Sequence, residues 1–120
     1  MVTTFTSAVP IVPARDTESA TGWYRDNLGF EVRHVEPEYG IVCRDEVYIH
    51  FWGPSGVDPH ESMYMFRVGV DAIEELYEHC ESKKIVHPNA PLREQPWGSI
   101  EFAISDGDGN LLTFFEWEPA

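Results

Sequence analysis

The chain has 120 residues, which allows one domain with one hydrophobic core and excludes two domains of ordinary size. Hydrophobic residues make up 42% of the chain, which is typical of a globular protein and excludes a disordered one. With 21 acidic and 8 basic residues the formal net charge is −13, which disfavours nucleic acid and anionic membranes as partners and favours cationic ligands.

The sequence predicts a cytoplasmic location. No apolar run approaches the roughly 20 residues of a membrane-spanning helix, and residues 1–5 lack a basic stretch followed by an apolar one, so no signal peptide is indicated. Two cysteines, Cys43 and Cys80, are too few for a disulfide framework and fit a reducing compartment.

The first half of the chain has the pattern of a strand, a helix and three further strands. Asp16 is a predicted helix cap, and Gly29 is a predicted helix end. A stretch rich in Gly and Pro, residues 53–60, marks the midpoint of the chain. The predicted strands of this half are residues 7–14, 30–35, 41–44 and 47–52.

The second half repeats this order of elements. Asp71 and Glu74 form a predicted capping pair for its helix, and residues 106–110 have the composition of a hairpin turn. The predicted strands are residues 63–70, 85–87, 99–105 and 111–117. The repeat predicts a single α+β domain, residues 1–120, built from two β-α-β-β-β modules at about residues 1–53 and 62–120.

A resemblance to a known family begins at the closing hairpin. Gln-Pro-Trp-Gly at residues 95–98 precedes Glu-Phe-Ala at residues 101–103, and an Asp-x-x-Gly-Asn turn follows. Residues 8–16, 23–30 and 42–47 add further motifs in the order expected. Together they resemble the vicinal-oxygen-chelate superfamily of glyoxalases, extradiol dioxygenases and bleomycin-resistance proteins, and within it the bleomycin-resistance branch.

The resemblance implies a structure and a function. The two modules are expected to form an open, cupped, mixed sheet, and two chains are expected to form a homodimer that encloses the ligand clefts. The implied function is binding and sequestration of a bleomycin-like cationic glycopeptide, which gives resistance without catalysis. The partners expected are thus a small-molecule ligand and a second copy of the chain, with no nucleic acid and no membrane.

The residues at the family's metal-ligand positions argue against a metal enzyme. Enzymes of the superfamily bind a divalent metal through His, Gln or Glu, but the resemblance puts Val9 and Thr113 at two of these positions, and residues 63–70 contain no His. We therefore expect no metal, no cofactor and no catalytic residues. Two alternatives stay open: a metal-dependent lyase, isomerase or dioxygenase with displaced ligands, and a binding module for another metabolite. Displaced ligands would come from His34, His50, Glu101 and Glu116.

Eight residues are the predicted ligand-binding set. Tyr39, Trp52 and Trp97 stand at strand ends or on loops, where a planar drug ring can stack on them. The resemblance places Tyr39 and Trp97 in the cleft; the alternative is that each ring packs over its own hairpin. The acidic members, predicted to meet a cationic tail although most exposed carboxylates bind nothing specific, are Glu36, Glu38, Asp58, Glu61 and Glu101.

Overall fold

The computed structural model describes residues 2–119 and contains two four-stranded sheets and two helices. Each half of the chain contributes one sheet and one helix, so the predicted α+β class with two β-α-β-β-β modules is confirmed. The elements are β1 (Ile11–Pro13), α1 (Thr17–Leu28), β2 (Glu31–Glu36), β3 (Tyr39–Arg44), β4 (Val47–Trp52), β5 (Met65–Gly69), α2 (Ile73–Ser82), β6 (Arg93–Glu94), β7 (Ser99–Ser105) and β8 (Leu111–Trp117).

The two sheets have the same topology. Their strand orders are β1-β4-β3-β2 and β5-β8-β7-β6. In each sheet the first strand of the module runs parallel to the last one, as in the pairs Val12–Phe51 and Phe66–Leu112, and the remaining pairs are antiparallel. Both sheets are therefore mixed, as expected.

Each helix covers one face of its sheet. Tyr24 of α1 packs on Phe51 of β4 with ring centroids 5.1 Å apart, and Tyr77 of α2 packs on Phe102 of β7 at 5.0 Å. Because side chains of a strand alternate between faces, the residues next to these buried ones point away from the helices. The helix-covered residues of the sheets include Val12, Val42, Ile49, Phe51, Phe66, Val68, Phe102, Ile104, Leu112 and Phe114.

A buried polar cluster joins the two modules. The Tyr24 hydroxyl of the first module donates to the Asp106 carboxylate at the β7–β8 turn, 2.7 Å away, and the Asn110 side-chain amide donates to the Pro13 carbonyl, 3.1 Å away. Burial raises the pKa of Asp106, although hydrogen bonds from Tyr24 and Asn110 oppose that rise. The cluster fixes the turn against α1 and the end of β1.

The helix ends show where local patterns predicted the caps correctly and where they did not. The Asp16 carboxylate accepts from the Ser19 amide at 2.9 Å and Gly29 ends α1 in the left-handed region, as predicted. The predicted capping pair of α2 is wrong. Ala72 is its N-cap residue, with φ 55°, and the Glu116 carboxylate of β8 accepts the Ile73 amide at 3.0 Å. A long-range carboxylate has taken the place that a local one was expected to fill.

Three predicted strands differ from the structure. The first covers Ile11–Pro13 rather than residues 7–14, and the one predicted at residues 63–70 covers Met65–Gly69. Residues 85–87 make only an isolated bridge between Val86 and Ile104, and the strand beside β7 is β6, Arg93–Glu94, which lies outside the predicted strands. Proline has no amide hydrogen to donate to a ladder, which limits the first strand on both sides. Within residues 2–119, neither helix has the length and apolar character needed to cross a bilayer.

Candidate functional site

The candidate binding surfaces are the two sheet faces that point away from the helices. The first open face belongs to the β1-β4-β3-β2 sheet and the second to the β5-β8-β7-β6 sheet. By strand register, the first open face carries Ile11, Pro13, Glu36, Tyr39, Ile41, Cys43, Tyr48, His50 and Trp52. The second open face carries Met65, Arg67, Ser99, Glu101, Ala103, Leu111, Thr113, Phe115 and Trp117.

Two of the predicted aromatic residues are neighbours on the first open face. Tyr39 and Trp52 are register partners on β3 and β4, and Glu36 is the partner of Tyr39 on β2. The Tyr39 hydroxyl lies 2.7 Å from Nδ1 of His50, which holds the phenol ring against the face. Trp52 is 46% exposed, so much of its ring is free to contact a ligand.

The third predicted aromatic residue, Trp97, lies against the second open face. It is 57% exposed, yet its indole Nε1 donates to Oε2 of Glu101 at 2.9 Å. Gly98 has φ +97°, a backbone conformation that residues other than glycine rarely adopt. It allows the loop to turn directly after the Trp97 ring. Trp97 is thus an accessible ring with one end fixed by a carboxylate.

Glu101 has its acceptor sites filled by protein donors. It is 5% exposed and forms a bidentate pair with Arg67, with Nη1 to Oε1 at 3.0 Å and Nη2 to Oε2 at 2.7 Å. The Ser99 hydroxyl donates to Oε2 at 2.6 Å. These contacts with Arg67, and secondarily with Ser99 and Trp97, lower the pKa of Glu101 to about 2, although burial opposes the change.

Besides Arg93, the exposed register partner of Glu101 on β6, the second open face presents Arg67 to solvent. The Arg67 guanidinium lies over the Phe115 ring, 4.7 Å from the centroid, in a cation–π contact. Because Arg67 neutralises Glu101, this face offers no free carboxylate at that position. Of the five predicted acidic residues, Glu101 is therefore the one that the geometry separates from a direct contact with a cation.

The other four predicted acidic residues are exposed and lie in two places. Glu36 and Glu38 flank the β2–β3 turn beside Tyr39, and the Glu38 carbonyl accepts from the Gly53 amide at 3.2 Å. Asp58 and Glu61 belong to the loop between the modules, where the Glu61 amide donates to the Asp58 carbonyl at 2.9 Å.

The predicted binding residues fall into two separated groups. Tyr39, Trp52 and Pro13 form a row of register partners across β3, β4 and β1, which we call the Tyr39–Trp52 row. The Pro13 carbonyl at its end accepts a hydrogen bond from Asn110 at the β7–β8 turn. Trp97 precedes the opposite end of β7, and the six steps from Ser99 to Ser105 span roughly 20 Å at the usual rise of a strand. A single chain therefore does not bring Tyr39 and Trp52 together with Trp97.

The residues present do not fit a superfamily-type metal. Val9 has no donor atom, Met63 and Met65 have only thioether sulfur, and Thr113 is a weak ligand. Among residues 2–119, no three His, Cys, Asp or Glu side chains are grouped as metal ligands.

Sequence reasoning did not predict the side-chain bonds of the site: His50 bonds to Tyr39, and Arg67 and Ser99 bond to Glu101. Alternation in β5 would have placed Arg67 on the face of Met65, and the β7–β8 hairpin register would have placed Glu101 opposite Phe115. The long-range pairing of β5 with β8 was the missing information, because no local pattern specifies it.

The fold, two β-α-β-β-β modules with open mixed sheets, agrees with a match between this sequence and a known superfamily. Residues 6–114 match the model of the glyoxalase/bleomycin resistance protein/dioxygenase superfamily. The chain belongs to this superfamily.

Individual relatives are bleomycin-resistance proteins. A bleomycin resistance protein from Geobacillus stearothermophilus is 32% identical, with 91% of this chain and 95% of the relative covered. One from Klebsiella pneumoniae is 30% identical, with 92% of each chain covered. The crystal structure of a bleomycin-binding protein complexed with bleomycin superposes with a TM-score of 0.80 at 28% identity, covering 95% of this chain and 100% of that one.

Proposed function

We propose that this protein binds a bleomycin-like cationic glycopeptide stoichiometrically and confers resistance by sequestration, without breaking a bond in the drug. The similarity to a bleomycin-bound structure over 95% of this chain is the observation that carries the proposal. The two exposed indole rings of Trp52 and Trp97 support it, because planar heteroaromatic rings of a ligand stack on such surfaces. The lack of suitable metal ligands at Val9 and Thr113 supports binding over catalysis.

We further propose that the binding unit is a homodimer. Within one chain, Tyr39 and Trp52 lie on the side of the β7–β8 turn, whereas Trp97 precedes the opposite end of β7, a strand that spans roughly 20 Å. A second copy can bring its Trp97 over the first copy's Tyr39 and Trp52, and the symmetric arrangement then gives two equal clefts. Apolar side chains on the second open face, such as Met65 at 66% exposure and Trp117 at 61%, would be covered in this way.

Charge favours a cationic ligand and its delivery to the first open face. Glu36 and Glu38 are exposed beside Tyr39, and the protein carries a net charge of −13. Such a field speeds the association of cations and is screened beyond about 10 Å at 0.1 M salt. We propose that Glu36, Glu38, Asp58 and Glu61 act mainly on the association rate, in a cytoplasmic protein whose two cysteines are free thiols.

Tryptophan fluorescence tests the proposal directly. Bleomycin should quench the fluorescence saturably at micromolar concentration, with two drug molecules bound per dimer. Raising the salt should slow association, whereas Trp97→Ala should speed dissociation, because the first change screens charge and the second removes contact area. The expected loss for Trp97→Ala is about 5- to 150-fold in affinity, the scale of one buried aromatic anchor.

Leu112→Ala is the control. Leu112 lies on β8 of the same sheet, but its side chain is fully buried on the face that the helix covers, away from the proposed ligand. The substitution should lower the free energy of unfolding by about 2–5 kcal/mol and change drug affinity little. Absence of saturable binding by the wild-type protein would refute bleomycin sequestration. Turnover of the drug by purified protein would instead favour the enzymatic alternative.

A further inference from the structure

The carboxylate of Glu101 is buried in a place where its charge would be costly without partners. Three side chains supply those partners: Arg67 with two bonds, Ser99 with one, and Trp97 with one. Three of these four bonds end on the same oxygen, Oε2. The Trp97 indole is therefore hydrogen-bonded to a carboxylate that Arg67 and Ser99 also hold in place.

Trp97 would otherwise be free to change rotamer. It is 57% exposed, sits on the loop between β6 and β7, and is followed by a glycine. A ring in that setting loses side-chain entropy when a ligand fixes it, and ordering one side chain weakens binding by about 2- to 10-fold. A hydrogen bond that fixes the ring beforehand removes part of that cost.

Among the described residues, Trp97 is the tryptophan whose indole N–H bonds to another side chain. Trp52 and Trp117 are exposed rings on the two open faces without such a bond. The bond to Glu101 thus distinguishes Trp97 from two rings of similar exposure in the single chain.

From this geometry we infer that Glu101 is a positioning residue: it orients the Trp97 ring for the ligand and does not contact the ligand itself. The inference rests on the proposed function, because it names how one wall of that site is prepared. Arg67 and Ser99 act indirectly, because they bond to the Glu101 carboxylate, which in turn bonds to the Trp97 ring.

The first test needs no drug. In a ¹H–¹⁵N spectrum, the indole N–H of Trp97, assigned by its loss in Trp97→Ala, should exchange with solvent at least tenfold more slowly in the wild-type protein than in the paired variant Arg67→Met/Glu101→Leu, which removes both charges together. Both proteins are compared in the same oligomeric state. An indole of Trp97 that exchanges equally fast in the two proteins would overturn the inference, whether or not bleomycin binds.

A double-mutant cycle with bleomycin is the second test. The paired variant should weaken binding about 2- to 10-fold, the scale of ordering one side chain. In a Trp97→Ala background, the same pair of changes should weaken it no further, because Glu101 acts through the ring. A loss that persists undiminished in that background would mean that Glu101 touches the drug, and the inference would fail.

A milder variant protects the test against misfolding. Trp97→Phe keeps an aromatic ring and removes the N–H donor, and Trp52→Phe makes the same change at a ring that has no such bond. Trp97→Phe should show faster ring motion by NMR relaxation and weaker binding than Trp52→Phe by about 2- to 10-fold. Equal effects of the two changes on both measurements would contradict the positioning role. Wild-type protein without affinity for bleomycin would instead refute the proposed function alone.

Discussion

Glu101 acts in the structure as an acceptor for neighbouring side chains, whereas its sequence position beside an aromatic loop suggested a contact with the ligand. Its pKa of about 2 lies below the ordinary value of 4.5, chiefly because Arg67 donates two hydrogen bonds to it. A carboxyl group with a lowered pKa stabilises the folded state above its unfolded-state pKa. That contribution disappears as the pH falls through 4.5 toward 2.

A pH series of thermal unfolding should reveal this contribution. The wild-type protein should exceed Glu101→Gln in Tm at pH 5–7, and the difference should shrink steadily between pH 4.5 and pH 3, where Glu101 becomes protonated in the unfolded chain but stays charged in the folded protein. Glu46→Gln, which changes an exposed carboxylate on the β3–β4 turn, should show a small and nearly constant difference. A Glu101→Gln difference that is unchanged from pH 7 to pH 3 would rule out the strong pairing with Arg67.

At the scale of an element, α2 shows how tertiary contacts replace a local signal. Ala72 adopts φ 55° and ψ 49° at the start of the helix, a region that costs an L-residue roughly 1–2 kcal/mol. The helix still begins there because the Glu116 carboxylate accepts the Ile73 amide and because Ile73 is buried in the core. Glycine has no such cost at this φ, although it also gains freedom in the unfolded chain.

Ala72→Gly should therefore raise the free energy of unfolding by roughly 0.5–1 kcal/mol, measured by chemical denaturation. Ala20→Gly is the control, since Ala20 lies inside α1 and is buried. That change should lower the free energy of unfolding by about 1 kcal/mol or more, because glycine is unfavourable within a helix. Destabilisation by both changes would show that Ala72 does not adopt the left-handed conformation.

At the scale of the whole molecule, the positions of the two open faces bear on the oligomeric state that the proposed binding site needs. Each face carries part of the predicted binding set, and β1 to β4 form no sheet pairs with β5 to β8 among the described residues. A binding cleft that uses both parts needs a second chain. The dimer that we propose would thus complete the proposed site as well as cover apolar surface.

Sedimentation velocity at micromolar concentration should show a dimer that binds two drug molecules. Trp117→Glu places a charge on the exposed part of the second open face and should shift the protein toward monomers and weaken drug binding. Glu118→Lys, a charge change at a neighbouring exposed residue, is the control and should leave the dimer intact. A folded monomer that binds bleomycin with wild-type affinity would contradict the two-chain cleft.

The sequence by itself determined the order of the elements, because caps, turns and alternating strands are local. Asp16, Gly29 and residues 106–110 act within a few positions of themselves, and the structure retains their predicted roles. Family motifs that span nearly the whole chain likewise predicted the superfamily from the sequence alone.

The tertiary structure decided which side chains meet. Arg67 reaches Glu101 across β8, Glu116 caps α2 in place of Asp71, and residues 85–87 add one bridge instead of a strand. The predicted aromatic residues also separate into two groups, which no local pattern specifies. The first two contacts join positions 34 and 43 apart in sequence, and the bridge joins Val86 to Ile104. All three depend on how the strands pair and on where each helix packs, and the local sequence around either partner does not contain that information.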